Sequence, residues 1–202
     1  MVLLRQYHAQ NKIIMKNIRI LMILCILTNF IQCKAQVFPL DTDYENIPAY
    51  SYIKDLNNEL NQFTGVYKAI YKGNEVTLYI SKVEHKLKER TTKTYYMDAL
   101  IVKYTVKNSA GSVLQDTQNN NKEDFYSIMS APQENAVALY YPGTNCGVGW
   151  GDVFLFKINS TQLSWDYRPN STIFLDKNTE CPGNPDTKVY LPVTKDLIFT
   201  KQ

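Results

Sequence analysis

Residues 100–107 read LIVKYTVK, with an apolar side chain at every second position. Successive side chains of an extended chain point to opposite faces, so Leu100, Val102 and Tyr104 fall on one face. The positions between them carry lysine and threonine as well as one isoleucine. This alternation predicts a strand with one face in a core and the other in water, as is usual in antiparallel sheets.

The same two-residue period recurs along most of the chain after Gly65. The runs are Val66–Tyr71, Val76–Val83, Tyr95–Lys107, Ser112–Thr117, Asp124–Met129, Ala136–Tyr141, Asp152–Ile158, Gln162–Arg168, Ser171–Leu175, Lys188–Leu191 and Asp196–Thr200. Short runs separated by turn residues predict an all-β domain of about 8–10 strands, either a single antiparallel, up-and-down barrel or a sandwich. Periodicity does not separate the two, but closure favours the barrel because it removes exposed edges.

One segment has helical spacing instead. Between Tyr50 and Phe63, the apolar residues Ile53, Leu56 and Leu60 recur at three- and four-residue steps, and Ser51 is a suitable N-cap. We therefore expect one short N-terminal helix, followed by the strands.

The first 35 residues have the features of a signal peptide. From Met15, the residues Lys16 and Arg19 form a positive start, and Ile20–Ile31 is apolar apart from two polar residues. Twelve residues at about 1.5 Å each do not cross a hydrocarbon layer of about 30 Å, which argues against a membrane span. The sequence predicts a signal peptide over residues 1–35, with Met15 as an alternative start.

The end of this segment leaves two possibilities open. Phe30-Ile31-Gln32-Cys33 resembles the lipobox of bacterial lipoproteins, in which the cysteine is acylated, although Phe and Gln are not the usual residues there. The alternative is simple cleavage after Ala35. In both cases residues 36–49 are expected to form a tether and residues 50–202 a single β domain.

The charge balance excludes one class of partner. The whole chain has a net charge of +3, with 22 basic and 19 acidic residues. Residues 1–35 hold five of the basic residues and none of the acidic ones, so residues 36–202 carry 17 basic and 19 acidic residues. Nucleic-acid binding needs a clustered basic face, and this balance predicts none.

The cysteines support export. Cys25 and Cys33 lie in the targeting segment, which leaves Cys146 and Cys181 as a pair. In an oxidising compartment an even pair predicts a disulfide. A catalytic thiol with His85 is the weaker alternative, because no local signature accompanies it.

Three stretches carry a resemblance to a known group of proteins. They are Cys146–Asp152, Trp165–Ser171 and Cys181–Asn184. The chain resembles an uncharacterised family of small, secreted or lipid-anchored proteins from Bacteroidota. The resemblance implies export and one domain, and it implies no activity.

A shorter resemblance concerns the start of the β domain. Phe63-Thr64-Gly65-Val66-Tyr67 is similar to the first strand of lipocalin-like barrels, with Tyr67 where tryptophan is usual. This implies an up-and-down barrel with an internal or rim site for a small molecule.

No cofactor or metal is expected. His85 is the single histidine after residue 35, and the two cysteines are better used on each other. Four glycines lie within Gly143–Gly151, but a strand follows them, whereas a phosphate-binding loop leads into a helix.

Aromatic residues near this glycine-rich loop are the predicted ligand-binding set. Tyrosine and tryptophan combine an apolar ring with a polar edge, which suits a site for a sugar or a small apolar ligand. Arg168 could add a cation beside the rings. The predicted set is Tyr140, Tyr141, Trp150, Trp165, Tyr167 and Arg168.

Three functions follow from these observations. The first is an exported, envelope-associated binding or interaction module, held at the outer membrane or facing the periplasm by a lipid on Cys33, or secreted. The second is a hydrolase that uses carboxylates near the glycine-rich loop, and the third is a structural envelope lipoprotein. The sequence does not fix the oligomeric state.

Overall fold

The computed structural model describes residues 15–16, 36–172, 181, 183 and 185–202. Over these residues the body Val37–Gln202 contains eleven strands. They are β1 (Val37–Pro39), β2 (Tyr52–Lys54), β3 (Gly65–Tyr71), β4 (Asn74–Glu89), β5 (Thr94–Lys107), β6 (Val113–Asp116), β7 (Tyr126–Ala131), β8 (Ala136–Tyr141), β9 (Gly151–Lys157), β10 (Gln162–Pro169) and β11 (Leu197–Lys201). Among the described residues, no helix has the length and hydropathy that a membrane span requires.

Eight of these strands form a closed antiparallel barrel. Their order is β5-β4-β3-β11-β10-β9-β8-β7, and β7 returns to β5 through the pair Ile101 and Tyr126. Neighbours in the barrel mostly follow one another along the chain, because hairpin turns join them. The predicted all-β barrel is confirmed, and the sandwich is excluded.

Most of the predicted strands are present, with shifts of up to two residues at their ends, except that β4 continues six residues past the predicted end at Val83. Ala136–Tyr141 forms β8 with the predicted bounds. Lys188–Leu191 is wrong as a strand: it is not paired with any described strand, although Leu191 is buried. Of the run Ser171–Leu175, the residues after Thr172 lie outside the described part. So does the predicted signal peptide with Cys33, apart from Met15 and Lys16.

The predicted helix over Tyr50–Phe63 is wrong. The segment forms β2, then turns, and ends in a single 3-10 turn at Asn61–Phe63. The carboxylate of Asp55 accepts hydrogen bonds from the backbone N–H groups of Glu59 (2.7 Å) and Leu60 (3.2 Å), which replaces helical pairing. The helical spacing in the sequence reflects a turn whose apolar residues are mostly buried in the core.

The segment predicted as a tether packs on the barrel. β1 pairs in parallel with β2, and β2 pairs in parallel with the first part of β5. Leu40 and Ile47 are buried in the same core as the barrel residues. We call residues 37–54 the N-terminal annex. The annex can pack against β5 because β4 and β5 are long, with 16 and 14 residues, and only part of each strand lines the barrel.

A buried carboxylate joins the annex to the barrel. Asp98 on β5 is fully buried and accepts hydrogen bonds from the Tyr52 hydroxyl and from the backbone N–H groups of Asp55 (3.0 Å) and His85 (3.1 Å). His85 lies at a bulge in β4, with a left-handed φ of 57°. Three donors on one carboxylate fix the annex and the bulge together.

Aromatic side chains fill the inside of the barrel. Trp165 lies near Phe199, Tyr167 and Phe125, with ring centroids 5.6–6.5 Å apart. The indole N–H of Trp165 donates to the carbonyl of Pro192 at 2.8 Å, so the polar edge of the ring is satisfied. The interior is therefore a packed core, and sites for ligands have to be sought at the ends and the outside of the wall.

One buried lysine lowers the stability of the fold. Lys88 on β4 is only 3% exposed, and its amine has no hydrogen-bond partner. Its Nζ lies 3.2 Å from the centre of the Tyr126 ring. Burial, with smaller contributions from the nearby charges of Arg90 and Lys86, lowers the pKa of Lys88 to about 7.

We predict that Lys88→Met stabilises the protein at pH 7. The unfolded chain keeps Lys88 charged up to its ordinary pKa of 10.5, whereas the folded protein gives up that proton near pH 7. The wild-type protein therefore loses stability as the pH falls from about 10 to 7. Removing the amine should raise the free energy of unfolding at pH 7 by about 1–3 kcal/mol.

Urea unfolding at pH 7 and at pH 9.5 measures this effect. The gain from Lys88→Met should be larger at pH 7 than at pH 9.5. Lys107→Met removes an exposed lysine and is the control, with little change at either pH. Equal gains at both pH values would contradict the prediction.

Candidate functional site

The barrel wall has a gap between β5 and β8. β7 lies between these strands but pairs with β5 through a single residue pair, Ile101 and Tyr126. The next contact is the backbone N–H of Val102, which donates to the carbonyl of Phe125 at 2.9 Å. Beyond this point the chain leaves the wall, and a cavity of about 520 Å³ lies between β5, β6 and the loop after β8.

Two tyrosine hydroxyls form the floor of this cavity. Tyr104 on β5 and Tyr141 on β8 are buried, and their hydroxyl oxygens lie 2.9 Å apart. The ring of Phe125 lies 5.1 Å from that of Tyr141 and 6.4 Å from that of Tyr104. Only one of the two hydroxyl protons can bridge the pair, and neither hydroxyl has another partner among the described residues. The pair therefore keeps one free donor.

Burial determines the protonation of both hydroxyls. It raises the pKa of Tyr104 to about 12, an increase that the hydrogen bond with Tyr141 partly offsets. Burial and the neighbouring Tyr104 also raise the pKa of Tyr141. Both side chains are neutral at physiological pH, so they act as hydrogen-bonding groups and are unsuited to act as a base or nucleophile.

A glutamine brings an unpaired acceptor into the same cavity. The amide nitrogen of Gln115 on β6 donates to the Thr144 hydroxyl at 3.3 Å. The amide oxygen of Gln115 is buried and has no hydrogen-bond partner. A buried acceptor without a partner costs about 1–3 kcal/mol, which a bound hydroxyl or amide donor would recover.

The glycine-rich loop closes one side of the cavity. Gly143 has a φ of +92°, and a Cβ there would lie 2.5 Å from the backbone of Gly147. The predicted disulfide is confirmed: Cys146 is bonded to Cys181, with 5.4 Å between their Cα atoms. The Tyr167 hydroxyl also donates to the carbonyl of Gly149. The loop is therefore fixed in place before any ligand binds.

The charges around the cavity balance. Asp116 and Asp124 line it together with Lys103 and Lys122. The amine of Lys103 donates hydrogen bonds to backbone carbonyls of the β6–β7 connection. It is therefore not free to bind a ligand. Two carboxylates and two amines favour an uncharged ligand over an ionic one.

The structure separates the six residues predicted to bind a ligand. Tyr141 alone lines the cavity. Trp165 and Tyr167 point into the packed core. The other three lie outside it: Tyr140 packs on Tyr126, Arg168 pairs with Asp166 at 2.8 Å, and Trp150 is 41% exposed. Neighbouring strand residues such as Tyr140 and Tyr141 face opposite sides of the wall, so the set does not form one patch.

Sequence reasoning missed Tyr104, Gln115 and Phe125. Tyr104 belongs to the predicted inner face of its strand, where a buried tyrosine looks like ordinary core. Gln115 lies in a four-residue strand that has no apolar period. The hydrogen bond between β6 and the loop after β8 joins residues that are 29 positions apart, and no local sequence pattern predicts it.

The fold and the site define a class of protein: a small, disulfide-bonded, closed antiparallel barrel with a packed interior and a polar cavity in its wall. The chain belongs to the family of unknown function DUF6705, whose family model matches residues 15–202. This confirms that the chain belongs to an uncharacterised family. The comparisons with curated proteins and with solved structures gave no match. Within the described residues, no group of three His, Cys, Asp or Glu could hold a metal ion.

We predict that the disulfide contributes strongly to stability. Replacing both Cys146 and Cys181 by serine opens a loop of 35 residues, which should lower the free energy of unfolding by about 3–4 kcal/mol on the chain-entropy model. Chemical denaturation of the double variant and of the oxidised wild type measures the difference. Reduced wild-type protein should unfold like the double variant. A change below about 1 kcal/mol would show that the loop is held without the bond.

Proposed function

We propose that the protein is an exported, non-enzymatic binding module, and that its ligand is a small, uncharged, polyhydroxylated molecule such as a sugar. The proposed site is the cavity between β5 and β8. The observation that carries this proposal is the pairing of a free acceptor with a free donor in one cavity. The acceptor is the amide oxygen of Gln115, and the donor is the spare hydroxyl proton of Tyr104 and Tyr141.

A sugar fits these groups because each of its hydroxyls both donates and accepts a hydrogen bond. The Gln115 oxygen would receive a proton from one ligand hydroxyl, and the tyrosine pair would give a proton to another. The ring of Phe125 offers an apolar surface for the C–H face of a sugar. The balanced charges of the rim favour a neutral ligand.

Substitutions at Gln115 and at the pair Tyr104 and Tyr141 test this proposal. The probes are glucose, galactose, N-acetylglucosamine and maltose, added to the intact protein and followed by amide NMR shifts and calorimetry. For the sugar that binds, Gln115→Leu and the double variant Tyr104→Phe/Tyr141→Phe should each weaken binding about tenfold or more, since each leaves a ligand hydroxyl unpaired. Trp150→Ala is the matched control, because Trp150 lies outside the cavity, and it should bind like the wild type.

Two results would overturn the proposal. One is the absence of binding for all four sugars at tens of millimolar. The other is a bound sugar that loses affinity in Trp150→Ala and keeps it in Gln115→Leu.

The same cavity supports a second function. Asp116 and Asp124 both line it beside the glycine-rich loop, as a carboxylate-dependent hydrolase would require. Measuring new reducing ends in the maltose samples separates the two functions. Release of glucose that Asp116→Asn or Asp124→Asn abolishes would favour the hydrolase over the binding module.

Export with a lipid on Cys33 is part of the proposal. It rests on the apolar segment Ile20–Ile31, on the lipobox-like residues before Cys33 and on the disulfide, which suits an oxidising compartment. We predict that mass spectrometry of the envelope fraction finds an acylated fragment that begins at Cys33. Cys33→Ser should release the protein from the membrane. A free amino terminus at Gln36 in the wild-type protein would show simple cleavage instead.

A further inference from the structure

We propose that a second cavity, between the N-terminal annex and β7, is a docking groove for an extended peptide segment of a partner protein. The segment pairs as an added strand with the free edge of β7. The cavity has a volume of about 570 Å³, and β7 contributes Ile128, Met129 and Ser130 to its lining. It shares no lining residue with the cavity between β5 and β8, so the proposal does not rest on the sugar site.

One edge of β7 is unpaired beside this cavity. β7 pairs with β5 only at Tyr126, and beyond that residue all its ladder pairs are with β8. Outside that ladder, no backbone hydrogen bond joins Ile128–Ala131 to any other described residue. The N–H and C=O groups of successive strand residues point to alternate edges, so some of these groups point away from β8. Such an edge is a template for one more strand.

The lining residues show that the cavity follows this edge. Side chains of neighbouring strand residues point to opposite faces, so a cavity over one face of β7 would be lined by every second residue. Here Ile128, Met129 and Ser130 follow one another along the chain. The bulge at Ile128 places at most two neighbouring side chains on one face, and it does not account for three. The cavity therefore runs along the edge of β7, where an added strand would lie.

Apolar side chains line the rest of the groove. The lining includes five buried residues from the annex and β5: Leu40, Ile47, Ile53, Tyr95 and Met97. Met129 is 54% exposed, and an exposed methionine is a flexible apolar surface that an incoming chain can cover. In peptide recognition by strand addition, the main chain supplies the hydrogen bonds, and pockets of this kind select alternate side chains. We therefore expect a segment with apolar residues at every second position.

The charges at the rim favour a neutral occupant. Asp41 and Asp43 on the annex and Arg90 at the end of β4 are exposed and line the cavity. Because both signs are present, they favour neither an anionic nor a cationic ligand. A single apolar molecule would cover the apolar walls but would leave the backbone groups of β7 buried without partners. A peptide segment satisfies both, since it brings its own N–H and C=O groups together with apolar side chains.

Matched synthetic peptides test the backbone pairing. The probes are the peptides Ac-Ser-X-Thr-X-Thr-X-Ser-NH2, in which X is valine, leucine or phenylalanine throughout. They are titrated to millimolar concentration into the full chain and followed by amide NMR shifts and hydrogen exchange. At least one should bind, with shifts and slower exchange within Ile128–Ala131.

Two N-methylated analogues of the peptide that binds separate strand addition from simple filling of the cavity. One carries methyl groups on the amides of the X residues, and the other carries them on the amides of the residues between. Only one of these two sets of N–H groups can face β7. One analogue should therefore bind about ten times more weakly than the other. No binding by any of the three peptides, or the same affinity in both analogues, would overturn the proposal.

Three variants locate the peptide. Met129→Lys puts a charge into the apolar wall at an exposed side chain, and it should weaken the peptide about tenfold or more. Ile198→Lys is the matched control, because it makes the same exchange at an exposed apolar residue outside the cavity, and it should bind like the wild type. Gln115→Leu should also keep full peptide affinity, which separates this test from that of the sugar site. Full peptide affinity in Met129→Lys would overturn the proposal.

Sedimentation of the protein without peptide tests the rival occupant, which is a second copy of the chain. We expect a monomer at the concentrations of the titration. Self-association that Met129→Lys abolishes and Ile198→Lys preserves would assign the edge of β7 to a second copy and overturn the proposal.

Discussion

One edge of β5 has to serve three partners, and this constraint shapes the molecule. β4 pairs along the whole of the other edge. The first pair is Glu75 with Lys107, and the last is Glu89 with Thr94. On the shared edge, β2 takes the first part of β5, β7 takes one residue in the middle, and β6 takes the end. Backbone groups have to be paired when they are buried, so each partner stops where the next begins. The cavity between β5 and β8 lies where the pairing with β7 ends and the pairing with β6 begins.

Two buried carboxylates, those of Asp98 and Asp55, hold the annex and the following turn against the barrel. Asp98 and Asp55 accept hydrogen bonds from the annex and the following turn, and Lys82 pairs with Asp55 at 2.7 Å. Buried carboxylates are tolerated because each has several donors. The bulge at His85 places the backbone N–H of this residue against Asp98, at 3.1 Å. The same polar contacts therefore hold the annex, the bulge and the turn after β2 together.

Much of the fold was predictable from the sequence, because alternation reports directly on burial in a strand. It identified the inner face of β5 and the bounds of β8. It failed at Tyr50–Phe63, where Asp55 competes for the backbone groups that a helix would use. The candidate site was less predictable. The cysteine pair was found by elimination, whereas Gln115, Tyr104 and Tyr141 meet only through the shared edge of β5, and nothing local in the sequence encodes that edge.

The position of β11 sets the timing of folding. Its five residues, Leu197–Lys201, fill the space between β3 and β10, the first and last of the other barrel strands along the chain. A chain that is still being synthesised lacks β11 until residues 197–201 have been added. Until then the sheet stays open, with two unprotected edges that can meet a chaperone or a protease. The barrel can therefore close only after β11 is in place, and a variant without residues 197–201 would leave the facing edges of β3 and β10 unpaired.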